Sequence, residues 1–216
     1  MPDDFSCADP DFRYTDPATG VMRNLLNIAD QALLSNVELC VSARRIEELK
    51  KNPIVIRDIS SLNAVHKHLF QDIYDWAGEQ RSVEISKSGS QFFPVSHFQN
   101  AQVFLNGQLS EYKSINSSDK KNVSRNFAEI LDHVNYLHPF REGNGRAQRE
   151  FVRLLALEKS WSLDLSRCDN ADIHGKYFDG TVHGDIDCLA KLIYKILTPM
   201  KAADRPAGKI RRDRTR

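Results

Sequence analysis

Apolar residues recur at three- and four-residue intervals along most of the chain, a period that predicts a mainly helical protein. From Asp30 to Lys51 the run is rich in Leu, Ala, Glu and Arg, with helically spaced apolar positions closed by Asn52 and Pro53. Leu62, Val65, Leu69, Ile73 and Trp76 make a second stripe over 60–76, which Gly78 is expected to stop. Helices are also predicted over 96–112, 145–159, 170–178 and 185–198. Another starts at Lys120, where Val123, Phe127, Ile130, Leu131, Val134 and Leu137 form one continuous face up to Pro139. One segment breaks the period. Between Gln80 and Pro94, Val83 and Ile85 alternate with Ser82, Glu84 and Ser86, and Ser88-Gly89 offers a turn, so a short β-hairpin is expected.

The Asp- and Pro-rich lead, residues 1–13, is expected to be flexible. Residues 14–200 are expected to form one domain and 201–216 a basic flexible tail. A length of 216 residues suits one hydrophobic core, and 41% hydrophobic with 27% charged residues is the balance of a folded domain. No run of about eighteen apolar residues exists and the N-terminus is acidic, so neither a membrane span nor a secretory signal is read, and a cytoplasmic protein is expected. Cys7, Cys40, Cys168 and Cys188 stand far apart without paired spacing, which suggests free thiols. A net charge of +1 argues against nucleic acid as an obligatory partner.

Residues 138–149 read HPFREGNGRAQR, and this stretch does not follow simple packing needs. Gly143 and Gly145 around Asn144, just before a helix, let an anion approach backbone N–H groups closely. Arg146 and Arg149 lie three apart in the first helical turn, where the helix dipole disfavours cations, so they suit an oligophosphate. Glu142 would repel that ligand unless it holds a Mg2+ ion bridging the phosphates. His138, on the other side of the loop, is the candidate base for a hydroxyl attacking phosphorus. A GNG turn alone is more often only a tight turn, and His66, His68 and His133 do not share a face that would make a metal site.

The stretch resembles the signature of the Fic family: a histidine, an aromatic residue two further on, an acid, Gly-Asn-Gly-Arg, and a second arginine three residues later. YTDPATGVMRNLLNI at 14–28 and HKHLFQDIYDWAGEQRSVEISKSGSQF at 66–92 extend the likeness. The resemblance implies a Fic fold, a helical bundle with a short β-hairpin flap over the active site. It also implies an enzyme that transfers AMP from ATP to a Ser, Thr or Tyr hydroxyl of a target protein. His138 is then the catalytic base and Glu142 the Mg2+ ligand. Gly143, Asn144, Gly145, Arg146 and Arg149 bind the nucleotide, with Ser86 and Lys87 as flap candidates. A target segment would pair with the hairpin at about 81–92. Adenine contacts fall downstream, with Tyr177 the candidate.

The pattern of the family's inhibitory helix, a Ser or Thr followed by Glu and Gly or Asn, is not found in the sequence. That implies a separate small antitoxin whose Glu pairs with Arg149, and a toxin, or an effector delivered into a host cell. Fic-type transfer of a phosphoryl or phosphocholine group, and a non-catalytic nucleotide-binding module, are the alternative functions.

Overall fold

Asp30 starts the first helix as its residue type requires: its side chain accepts from the Leu33 N–H at 2.7 Å, and helix α1 runs Gln31–Lys51. The computed structural model describes residues 5–7, 9–10, 12–87, 89–163, 165 and 184–200. Within them follow α2 (Ser61–Phe70), α3 (Phe98–Ser114), α4 (Lys120–Leu137), α5 (Asn144–Glu158) and α6 (Ile186–Ile196). Asp119 and Asp185 cap α4 and α6 by accepting from Asn122 and Cys188. The helix expected at 170–178, with Tyr177, and the tail from 201 lie outside the described residues.

Helix α4 is the centre of the bundle. It packs against α3, α5 and α6, while α2 bridges α1 and α5. All six residues of its stripe are buried, from Val123 to Leu137, and Phe151, Val152 and Leu155 of α5 meet the same core. Each such side chain contributes on the order of 1.5–3 kcal/mol by leaving water, so the stripe fixes how α4 is rotated.

Helix α2 ends sooner than its apolar stripe. Ile73 and Trp76 are buried as expected, but the Ile73 carbonyl accepts from the Leu25 N–H at 2.8 Å, and the Ala77 N–H turns to the Tyr74 carbonyl. A partner from the segment just before α1 thus replaces the next helical hydrogen bond. Gly78, at φ +85°, completes the turn, where a Cβ would stand 2.7 Å from Lys67 Cβ.

The hairpin forms as β2 (Ile85–Lys87) and β3 (Ser90–Gln91), with Gly89 at φ +80° in its turn. The lead departs from expectation. Phe5–Cys7 forms strand β1, antiparallel to β2, with Phe5 opposite Lys87, Ser6 opposite Ser86 and Cys7 opposite Ile85. The order β1-β2-β3 makes β2 the central strand of a small sheet. A further pair unforeseen in the sequence, β4 (Trp161–Ser162) with β5 (Thr198–Pro199), joins the end of α5 to the end of α6. Strands of two residues are too short to show alternation.

Candidate active site

The loop from His138 to Gly143 joins the C-terminus of α4 to the N-terminus of α5, and its shape comes from side chains that lie beneath it. Asn144 folds back on the loop: its Nδ2 donates to the Phe140 carbonyl at 2.7 Å and its Oδ1 accepts from the Phe140 N–H at 2.9 Å. Its buried carboxamide is therefore committed to the loop, and only its backbone is left to face a ligand. Gly143 sits at φ +77°, and a Cβ there would stand 2.4 Å from the Phe70 ring. Only glycine fits. His66, fully buried on α2, donates from Nε2 to the Glu142 carbonyl and accepts at Nδ1 from the Gly78 N–H, both at 2.9 Å. Its ring stacks on Phe140 at 3.8 Å, and burial lowers its pKa to about 4. The histidine considered as a metal ligand is thus a neutral strut under the loop.

His138 closes α4 in the left-handed conformation at φ 42°, ψ 61°. Its Nδ1 lies 3.1 Å from the Asn135 carbonyl, an acceptor only, so the neutral ring carries its proton on Nδ1 and its lone pair on Nε2. Burial lowers its pKa to about 4, with the positive charges of Arg81 and Lys87 adding to the effect against the Asn135 bond. The hairpin covers it: Phe92 stacks on the imidazole at 3.8 Å and 19°.

Arg81 holds that cover in place. Its buried guanidinium donates from Nε to the His138 carbonyl at 2.8 Å, from Nη1 to Val83 at 2.7 Å and from Nη2 to Phe93 at 2.6 Å. Its own N–H donates to the Pro139 carbonyl. One side chain therefore joins the foot of the hairpin to the loop between α4 and α5. In the sequence it marks only where the hairpin begins.

A cleft of about 520 Å³ opens between α1 and the start of α5, with Glu38, Glu142, Arg146 and Arg149 among its walls. No side chain caps α5, which leaves its first-turn N–H groups for a ligand. Arg146 spans the cleft floor over Phe70, its carbon 4.7 Å from the ring centroid, and donates from Nη2 to Glu38 at 2.6 Å. Glu142 lies 3.6 Å from the same nitrogen and accepts from the Gly143 N–H at 2.8 Å. Glu38 is buried on α1 and also accepts from the Tyr74 hydroxyl. Burial and that carboxylate push the Tyr74 hydroxyl well above its usual range, so it stays a donor. Arg149 lies back over the first turn, its Nη1 3.2 Å from where a Cβ on Gly145 would stand, and among the described residues it makes no hydrogen bond or ion pair.

The predicted residues thus fall in two groups. Glu142, Arg146 and Arg149 share the cleft. His138 stands at the C-terminal end of α4 with Phe92 of the hairpin stacked on its ring, and Ser86 and Lys87 lie in β2. Glu38, Tyr74 and Arg81 were not foreseen. A signal for Glu38 exists, since it shares the buried face of α1 with Leu34, Ser42 and Leu49. A charge in an inward stripe calls for a partner. Among the described residues no three metal-ligating side chains cluster. A single carboxylate beside a phosphate-sized cleft still suits Mg2+, which takes one or two carboxylates and fills its other positions with phosphate oxygens and water.

The sequence profile of the Fic/DOC family matches residues 57–156. The chain is 36% identical over 186 residues to "Protein adenylyltransferase VbhT" of Bartonella schoenbuchensis, covering 86% of this chain and 39% of that protein's length. It is 30% identical over 186 residues to "Probable protein adenylyltransferase y4lH" of Sinorhizobium fredii, covering 84% of this chain and 93% of the relative. In fold it is similar to the BepC protein of Bartonella tribocorum, whose crystal structure holds AMPPNP. The TM-score is 0.78 at 20% identity, over 88% of this chain and 98% of that one.

Proposed function

We infer the activity of this chain from its family and its site: it belongs to the Fic/DOC family, and it is a protein adenylyltransferase that moves AMP from ATP onto a hydroxyl of another protein. The observation that carries the mechanism is a cleft lined together by Glu142, Arg146 and Arg149 at the start of a helix, with the imidazole of His138 at the other end of the connecting loop. In this reading the α5 N–H groups, including those of Asn144 and Gly145, and the guanidiniums of Arg146 and Arg149 hold the triphosphate. Glu142 would hold Mg2+, which supplies charge neutralisation between phosphate oxygens. A target segment pairs with the hairpin and brings its Ser, Thr or Tyr hydroxyl beside His138. The hydroxyl oxygen then attacks the α-phosphorus, the bond to the bridging oxygen breaks, pyrophosphate leaves, and the hydroxyl proton passes to Nε2 of His138.

Purified protein incubated with radiolabelled ATP, Mg2+ and cell lysates should label a protein, and mass spectrometry should identify the added group as adenylyl rather than phosphoryl. His138→Ala should lower labelling by about 10²–10⁴-fold while ATP still binds. Equal labelling by the variant would refute the assignment of the base, and labelling that survives chelation would refute the role of Glu142.

Arg149, without a partner among the described residues, is the place where a separate small antitoxin would insert a Glu, which makes this chain the toxin of a pair or an effector. Such a protein should bind Arg149→Ala much more weakly than the unaltered chain, measured by calorimetry without nucleotide. Equal affinity for both proteins would refute this. No helix among the described residues is long and apolar enough to cross a membrane. The need for ATP places the reaction in cytoplasm, of the producing cell or of a host.

A further inference from the structure

The outer edge of β2 is already paired. Phe5–Cys7 of the same chain lies along it in antiparallel register, with Ser6 opposite Ser86. The residues that follow tie this strand to the foot of the hairpin. The Asp9 carboxylate accepts from the N–H groups of Arg13, Tyr14 and Thr15 at 2.9–3.0 Å, which turns the chain sharply between β1 and the core. Arg13 then pairs with Glu79 at 2.6 Å, and the hydroxyl of the buried Tyr14 accepts from the Ser82 N–H at 3.3 Å. The strand is thus delivered to the hairpin by a short, built connection.

We propose that Phe5–Cys7 is a resident occupant, in cis, of a peptide-binding edge on the hairpin, and that it must leave before an extended segment of another protein can pair there. The strand edge offers main-chain donors and acceptors to any extended chain, so sequence identity matters little to the pairing itself. Position ties the edge to the site, because the same hairpin carries Phe92 stacked on the imidazole of His138. A tether of only a few residues from Tyr14 gives the cis strand an effective concentration on the order of millimolar. A weak three-residue pairing can therefore still hold back a target. The consequence for AMP transfer rests on the reading given above, whereas the occupancy does not.

The test uses the full chain without nucleotide, so it stands apart from any assay of transfer. Ser6→Pro removes an N–H from β1 and fixes its φ, which disfavours the pairing, and Asp9→Ala frees the connection while leaving both strands intact. The probe is a fluorescent peptide of residues 1–12. Both variants should bind it roughly tenfold tighter than the unaltered chain, as expected for removal of a competing tethered strand. Amide exchange at 85–87 should be faster in Ser6→Pro and slow again when peptide is added. Equal binding by all three proteins, binding by none, or unchanged exchange at 85–87 in Ser6→Pro would overturn the proposal.

Discussion

A single carboxylate that no motif contains sets the direction of Arg146, the arginine proposed to hold phosphate. Glu38 receives one Arg146 nitrogen and the Tyr74 hydroxyl, so the guanidinium is held across the cleft floor. In Glu38→Gln the amide NH2 and the guanidinium would oppose each other, and Arg146 would lose its charge-assisted bond. The KM for ATP should rise about tenfold, roughly 1.4 kcal/mol, with a smaller change in kcat. Steady-state kinetics check it, and a lower KM would show instead that Glu38 competes with the phosphate.

At the scale of the elements, the loop and α5 start as they do because Phe70 of α2 lies against the backbone at Gly143. Gly143→Ala combines a positive φ with a Cβ 2.4–2.5 Å from the ring, so either α5 or α2 must move. A loss of about 2–4 kcal/mol is expected in urea denaturation, with ATP binding lost in parallel. A stable Gly143→Ala protein with unchanged ATP affinity would contradict this. The element boundaries show where local sequence stops deciding. The α4 stripe from Val123 to Leu137 was fully legible because one helix face is buried along its whole length. The end of α2 was not, because it depends on Leu25, distant in sequence, taking the Ile73 carbonyl. The strand at Phe5–Cys7 was not legible either, since its pairing partner stands about eighty residues away and three residues carry no periodic signal.

For the whole molecule, two imidazoles kept neutral by burial make stability depend on pH. His66 ordinarily titrates near 6.5 and does so at about 4 in the fold, so between those values the unfolded chain binds the extra proton. Stability therefore falls as the pH is lowered through this window, by about 3 kcal/mol for this buried group. His138, lowered to about 4 chiefly by burial, acts in the same direction. Gln at position 66 can donate to the Glu142 carbonyl and accept from the Gly78 N–H without titrating. His66→Gln should thus shrink the difference in unfolding free energy between pH 7 and pH 4 by about 3 kcal/mol. An unchanged pH slope in denaturant titrations would refute this origin.

Residue order alone determined the helical class, the hairpin and the family motif at 138–149, because helix periodicity, turn residues and a compact motif are all encoded within a few turns of chain. Tertiary structure decided which way those groups face. It set Arg146 against Glu38, turned the Asn144 carboxamide inward, pinned the hairpin through Arg81 and laid the lead along β2. Such choices depend on contacts between segments far apart in sequence, whose geometry exists only once the core has closed.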